Sequence, residues 1–560
     1  MFQEIPRLVL WLVCGVGGIF AGLALEPVGW FPLAWVALVP LLWILKQGCD
    51  GRSPLKLRSM AIAGFTWGLG FHGVGLWWLT GLHPLTWLGL NWWTSIAVAL
   101  GCWLFVTLFG AVLVMGWAIA VAIIWRSLDQ YSKDQYSKQS NQSNPSNQPN
   151  PIWIAGLARG VWAATLWCVM ETLGNWMPLW WTALGLTQSP HNLALLHWGQ
   201  ISGPITLATI LVLLNGFIAE ALPDTLTFKR DDLNRVNRTW MVGAIALLLI
   251  TETTGLFALS QPLNDTAETA IDVGIIQGNI PNELKFGSEG WLLAINGYTA
   301  GYQGLADRGV DLVIFPETAI PVIWQEPFRS RSDLYKSIRD RQLPALLGVF
   351  QPVEAQPTAA GRRSYTPILN NSLLAVDGTA RPVGRYSKRH LVPLGEYLPF
   401  QEILGQLMER LSPLQVEILP GEPDQLLDTT LGRAIAGICY DSAFAENFRY
   451  QAAAGGEWIV TASNNAHYRT AMFAQHHAQD VMRAIETDRW LASATNTGTS
   501  AITDPHGRDR WHSLPNTYAV HADTLYRRTT QTPYVRWGSW LVMPLLGMSV
   551  LLSGLSGLNR

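Results

Sequence analysis

The chain has 560 residues, a formal net charge of −2, 49% hydrophobic residues and only 14% charged ones. A near-neutral balance with no long basic run argues against a nucleic-acid partner. The scarcity of charge points to a membrane protein, although the average conceals two unlike halves.

Taken in chain order, long apolar runs fall at 8–25, 30–45, 60–79, 92–125, 152–173, 201–219 and 241–259, and another at 537–555 closes the chain. Each is near the ~20 residues that cross about 30 Å of hydrocarbon, the second being short and the fourth long enough to protrude or bend. Eight transmembrane helices are therefore expected. The first run lacks a convincing small-x-small cleavage site and another span follows at once, so it reads as a helix rather than a signal peptide.

Basic residues alternate between loops. Lys46, Arg52, Lys56 and Arg58 follow the second run, Arg126, Lys133 and Lys138 the fourth, and Lys229, Arg230, Arg235 and Arg238 the sixth. The loops at 26–29, 80–91 and 174–200 contain no Lys or Arg. The positive-inside bias makes the basic loops cytoplasmic and delivers residues 261–536 to the opposite, periplasmic face of the inner membrane. The eighth helix, in 537–560, returns the tail to the cytoplasm. The stretch QYSKDQYSKQSNQSNPSNQPNP, 130–151, is too polar to bury a core and reads as a flexible cytoplasmic linker. Trp77, Trp78, Trp92, Trp93, Trp176, Trp180 and Trp181 flank the runs, as an interfacial belt would. Glu171 lies inside the fifth run, where a carboxylate is costly. It has either a functional role or a structural hydrogen bond.

Residues 270–515 read as a soluble α/β domain. Short apolar runs at 273–276, 312–315, 345–349, 373–376, 434–438, 458–462 and 491–494 are strand-length, and 288–305, 329–342 and 472–489 suit helices between them. About 245 residues are ample for one core.

Several strand candidates end in polar, reactive residues. DLVIFPETAIP brings Glu317 just past a strand, GRYSKRHLVPLGEYLPF offers Lys388 and Glu396, and AIAGICYDSAF offers Cys439. A carboxylate can take a thiol proton, and an ammonium can stabilise the oxyanion formed when the thiolate attacks a carbonyl. The plain alternative is that Cys439 is a small buried hydrophobe and the charged groups are solvated, because spacing does not show that they meet. His476 and His477 are adjacent, which suits a helix or loop surface better than joint ligation, and no zinc-type spacing is present. No metal is expected.

FPETAIP, YSKRHLVPLGEYLPF and GICYDSAF resemble the three motif regions of the carbon–nitrogen hydrolase (nitrilase) superfamily. IIQGNIP and SATNTGTSAITDPHG also resemble family segments, and with its spans the whole chain resembles the apolipoprotein N-acyltransferase family. The resemblance implies an α-β-β-α sandwich on a membrane helical bundle. It implies Glu317 as general base, Lys388 as oxyanion stabiliser and Cys439 as nucleophile, with Glu396, Tyr440 and Asn371 supporting them. Three positions depart from the family pattern. Asp441 stands where a Glu is usual, and His467 and Phe286 stand where a Trp is usual, in loops expected to gate the lipid.

The activity so implied is transfer of an acyl chain from a phospholipid, through a cysteine thioester, to the N-terminal amino group of an S-diacylglyceryl-cysteine apolipoprotein. The enzyme would act in two steps, without a cofactor and as a monomer in the membrane. Cys439 would escape disulfide formation, because Cys14, Cys49, Cys102 and Cys168 all lie in the membrane half. The alternatives are a membrane-tethered amidase or nitrilase that transfers to water, and a transporter or scaffold whose nitrilase-like domain only binds.

Overall fold

The computed structural model describes residues 6–49, 55–86, 89–139, 152–223, 237–353, 368–393, 395–397, 417–468 and 470–558. The chain forms two compact units, one of Met1–Thr80, Leu100–Ser260 and Ser539–Arg560, the other of Gly81–Ala99 and Gln261–Gly538.

The first unit is helical. Its helices are α1 (Arg7–Leu23), α2 (Val39–Cys49), α3 (Leu57–Gly75), α4 (Trp92–Gln139), α5 (Ile152–Gly174), α6 (Pro204–Ala221) and α7 (Arg238–Ser260), with Val542–Leu558 closing the chain. The first residues of α4 belong to the second unit. Among the described residues five segments are long and apolar enough to cross a membrane: Phe31–Cys49, Trp92–Gln130, Trp153–Gly174, Pro204–Ala221 and Arg238–Ser260. Arg7–Leu23 and Val542–Ser556 are apolar but shorter.

Helices α1 and α3 touch backbone to backbone through glycine. A Cβ on Gly18 would lie 1.9 Å from the Trp67 carbonyl oxygen, and one on Gly70 would lie 2.4 Å from that of Gly15. Close approach of this kind replaces the hydrophobic drive that helices lack in lipid.

The run at 30–45 is not one helix. A 3-10 turn, Phe31–Trp35, precedes α2. Asn215 of α6 satisfies the interrupted backbone, accepting from Leu38 N at 2.8 Å and donating to Ala34 O at 3.0 Å, while Trp67 Nε1 donates to Ala37 O at 2.8 Å. Buried polar backbone away from water requires such partners.

The stretch expected to be a flexible linker begins as helix. Helix α4 runs through Gln139, so 130–139 is its last part, and 140–151 lies outside the described residues. Trp77, Trp92, Trp93 and Trp176 are exposed, as a belt requires, but Trp78, Trp180 and Trp181 are buried. Glu171 is a structural acceptor. Its Oε1 takes hydrogen bonds from Trp167 Nε1 at 2.9 Å and from Leu184 N at 2.7 Å.

The second unit is a sandwich. Its strands are β1 (Ala270–Gln277), β2 (Leu312–Ile314), β3 (Ile320–Ile323), β4 (Ala345–Pro352), β5 (Ile368–Val376), β6 (Pro382–Ser387), β7 (Glu417–Ile418), β8 (Leu427–Thr429), β9 (Gly432–Ile438), β10 (Trp458–Ser463), β11 (Leu491–Thr495), β12 (Ala501–Thr503), β13 (Asp509–His512) and β14 (Ala519–Tyr526). One sheet runs β14-β1-β2-β4-β5-β6, with β3 on β4 and β7 on β5; the other runs β13-β12-β11-β10-β9-β8. The neighbours β1-β2-β4 and β9-β10-β11 are parallel, and most of the other pairs are antiparallel.

Alternation along the strands builds the layers. Val273, Ile275, Ala434, Ala436, Trp458 and Val460 meet in the core between the sheets. Outward residues such as Val313 and Leu347 pack under helices α9 (Ser288–Asp307) and α10 (Asp333–Arg341), which follow a four-residue helix α8 (Asn282–Lys285). On the other side Ile435 and Ile459 pack under α11 (Ala445–Ala453) and α12 (Thr470–Thr487). The result is the four-layer α-β-β-α order. Six of the seven apolar runs fall wholly in strands, and the run at 312–315 passes the end of β2 by one residue. The expected domain core ended at 515, whereas β14 lies beyond it and pairs with β1 along all eight residues of each.

Candidate active site

Four polar residues are each the first residue past a strand: Lys388 after β6, Cys439 after β9, Asn464 after β10 and Asn496 after β11. Glu317 follows β2 by three residues. Carboxyl ends of strands in open α/β sheets form the crevice in which ligands bind.

Lys388 is 1% exposed and Glu317 5% exposed, so neither is a solvated surface charge. Lys388 Nζ lies 3.0 Å from Glu317 Oε1 and 2.9 Å from Glu396 Oε2. Asn371, on β5, donates from Nδ2 to Glu317 Oε1 at 2.7 Å and to Glu396 Oε1 at 3.2 Å. Asn464 N donates to Glu317 Oε2 at 2.8 Å, and Val392 N to Glu396 Oε2 at 2.8 Å.

Burial would raise the pKa of both carboxyl groups, but they are not equivalent. At Glu317 the Lys388 ammonium and the donors on both oxygens overcome burial and hold the carboxyl below its usual range. At Glu396 burial prevails over the same ammonium, and the Glu317 charge adds to it, so this carboxyl is raised. Burial pulls the Lys388 ammonium down, yet the two carboxylates hold it well above its usual value. One ionised base beside a second, more readily protonated acid is how two carboxyls divide roles.

Cys439 lies within electrostatic reach of Glu317, Lys388 and Glu396. It is 6% exposed and opens a 3-10 turn, Cys439–Ala443, with φ of +50°. A non-glycine residue in the left-handed region costs of order 1–3 kcal/mol and persists only where its surroundings enforce it. Burial first, then the Glu317 charge, push the thiol above its usual range, while Lys388 acts in the opposite direction. The resting sulfur is therefore protonated and requires a base to become nucleophilic.

Among the other residues singled out in the sequence, Tyr440 packs edge-on to Phe444 at 5.1 Å. Asp441 is not simply a shorter copy of a site carboxylate. It is fully buried and accepts from Ile438 N at 3.0 Å, His390 N at 2.8 Å, His390 Nδ1 at 2.9 Å and Tyr386 OH at 3.0 Å. It thereby brackets the Cys439 turn to the segment that carries Lys388. Burial pushes its carboxyl up, but these donors outweigh burial and hold it below the usual range.

Phe286 packs on an apolar cluster of Phe350, Leu369, Leu391 and Ile418, together with Tyr397. His467 and Tyr468 line a small cavity of ≈ 180 Å³ with Glu283 and His83. Burial and then the Lys285 ammonium drive the His467 pKa down to about 4. His476 and His477 diverge: His476 Nε2 donates to Cys439 O at 2.9 Å, and His477 Nε2 meets Asp509 Oδ2 at 2.8 Å.

Sequence reasoning missed Lys285, Asn464 and Asn496. Lys285 Nζ donates to Asn464 Oδ1 at 2.8 Å and to Glu317 O at 3.2 Å, and Asn496 Nδ2 donates to Asn464 Oδ1 at 2.9 Å. The available signal was positional, since each asparagine lies two residues past the end of an apolar run.

Residues 272–509 match the family model of carbon-nitrogen hydrolase, and residues 17–217 match the apolipoprotein N-acyltransferase N-terminal domain. The chain is 43% identical over 535 residues to the apolipoprotein N-acyltransferase of Synechocystis sp., covering 95% of this chain and 97% of that one. It is 44% identical over 531 residues to that of Nostoc sp., covering 95% and 96%. The counterpart from Thermosynechococcus vestitus is 37% identical over 548 residues, covering 98% and 95%.

Proposed function

Because the chain belongs to the apolipoprotein N-acyltransferase family and is an acyltransferase, we propose that Cys439, Glu317 and Lys388 perform the transfer. The acyl chain comes from a phospholipid and passes through a Cys439 thioester. It ends on the α-amino group of an S-diacylglyceryl-cysteine at an apolipoprotein N-terminus.

In the first half, Glu317 takes the Cys439 proton and the sulfur attacks the acyl ester carbonyl. Lys388 Nζ faces the oxyanion. The C–O bond then breaks, and the proton held by Glu317 passes to the departing oxygen of the lysophospholipid. In the second half, the amine attacks the thioester carbonyl and loses a proton to Glu317. The C–S bond breaks and the sulfur regains a proton, leaving an amide. This is covalent catalysis with two exchanged acceptors.

The observation that carries this reading is the buried Lys388 ammonium, bound to both Glu317 and Glu396 and acting electrostatically on the Cys439 thiol. Glu396 shares the ammonium and Asn371 ties the two carboxyls together, so both support the three reacting groups. No step calls for a cofactor.

The apolar helices support a further part of the proposal. The chain spans the inner membrane eight times as a monomer, with residues 261–536 facing the periplasm. Anchoring there lets both lipidated substrates meet the site without leaving the bilayer, which would cost ~0.8 kcal/mol per CH₂. Phe286 and His467 belong to loops that admit the lipid.

The test is mass identification of an acyl group on Cys439 after incubation with labelled phospholipid, followed by its discharge to a diacylglyceryl lipopeptide. No adduct on Cys439, or discharge to water at the same rate with and without lipopeptide, overturns the reading.

A further inference from the structure

Lys285 is an ammonium that the chemistry above does not use. It is fully buried on the short helix α8, and among the described residues both its acceptors are neutral: Asn464 Oδ1 at 2.8 Å and the main-chain oxygen of Glu317 at 3.2 Å. A buried charge with only neutral acceptors is costly to keep, so its position calls for a reason.

The reason lies in what those acceptors do. Asn464 is the residue whose main-chain N–H holds Glu317 Oε2 at 2.8 Å. Its side chain is fixed by Asn496 Nδ2 at 2.9 Å on Oδ1 and by Asn282 Oδ1 at 3.2 Å on Nδ2. Lys285 therefore grips the general base twice, once at its own carbonyl and once through Asn464. Lys388 holds the opposite oxygen, Oε1.

We propose that Lys285 is a positioning residue of the acyl transfer, fixing Glu317 from its backbone side and keeping its carboxylate ionised. The proposal rests on the acyl-transfer reading of the same site.

The charges around Lys285 set the sign of its effect. Glu317 faces it from the turn after β2 and favours its charge. His467, from the turn after β10, feels the Lys285 charge and is neutral near pH 7. Glu283 shares its helix, and Lys388 binds the far oxygen of the same carboxylate. Burial lowers the Lys285 pKa to about 7, against the pull of Glu317. Glu317 titrates below that pH, so Lys285 carries its charge wherever Glu317 is losing its own. Removing the ammonium raises the pKa of Glu317 and moves the acidic limb of acylation upward.

The experiment is single-turnover acylation of Cys439 by labelled phospholipid across pH, in the full chain in detergent, for the parent, Lys285→Met and Lys285→Gln. A merely structural lysine changes the amount of folded protein and leaves the limb in place. The expected result for Lys285→Met is a rate lower by about 10–100-fold, with the limb raised by roughly 1 pH unit. Lys285→Gln keeps a donor without the charge, so it recovers part of the rate and keeps the raised limb. It also keeps the test open if Lys285→Met does not fold. A parental rate and limb in a folded variant overturns the proposal, as does a lowered rate with an unmoved limb in both. If the parent itself forms no acyl-enzyme, the acyl-transfer reading fails instead.

Discussion

Glu317 and Lys388 are in direct contact, yet the proposed chemistry asks different things of them. Glu317→Gln keeps size and hydrogen bonding but cannot accept the thiol proton, and burial of Cys439 holds that proton on sulfur. Thioester formation should therefore collapse. Lys388→Met leaves Cys439 open to alkylation by a small electrophile while acylation by phospholipid falls ~10²–10³-fold, the usual loss for one oxyanion donor. Stopped-time acylation of both variants, with Cys439→Ala as the blank, is the check. Parental rates in both end the three-residue assignment.

Asp441 belongs to the same scale. Its folded pKa lies below the unfolded value. Its stabilising contribution is thus complete above the unfolded carboxylate pKa of about 3.9 and fades as pH falls through the lower folded value. Asp441→Asn should cost about 1–3 kcal/mol at neutral pH, because buried donors lose an acceptor. The gap to the parent in melting temperature should narrow below about pH 4. A gap that does not change with pH contradicts the bracket role.

At the scale of elements, helix α12 holds the strained turn. His476, Asp480 and Arg483 stand at i, i+4 and i+7 and so share one helix face. His476 binds Cys439 O at 2.9 Å, Asp480 Oδ1 accepts from Ser442 Oγ at 2.7 Å, and Arg483 Nη1 donates to Ser442 O at 3.1 Å. Three side chains from one element thus hold the turn that opens at Cys439, one at Cys439 itself and two at Ser442. His476→Ala should slow acylation by about tenfold or more, as misplaced reacting groups do. His476→Gln, which can still donate to that carbonyl, should recover part of the rate. Equal rates in the three proteins would show that the turn holds itself.

At the scale of the whole molecule, the proposed topology, read from the alternating basic loops, puts residues 261–536 on the periplasmic face. Cys439 is buried and makes a poor reporter, whereas Leu514 is 70% exposed. In Leu514→Cys, a membrane-impermeant thiol reagent should label intact spheroplasts well above the parental background. Protection until lysis reverses the orientation. Among the described residues, length and hydropathy pick out five of the eight proposed crossings.

Much of this is legible in the sequence. The apolar runs were strands because strands buried on both faces need continuous apolar residues, and those at 434–438 and 458–462 form the parallel centre of one sheet. Glu317 and Cys439 stood out because each follows such a run, and Lys388 because it lies in a motif that resembles a known family's. Strand β14 was missed because its alternating AVHADTLY is half-buried and polar, and its place depends on β1, about 250 residues earlier in the chain. The break in the second span was hidden because the asparagine that tolerates it lies on another helix. Lys285, Asn464 and Asp441 could be assigned only in three dimensions. A main-chain N–H has no residue signature, a lysine is ordinarily exposed, and a carboxylate declares its partners only once it is buried among them. Composition and pattern thus determined the two-part architecture, and the family resemblance supplied the proposed reacting groups, because hydrophobic burial and short motifs are local properties of sequence. Tertiary structure alone decided which groups hold those residues in place, because hydrogen bonds join residues by distance in space and not along the chain.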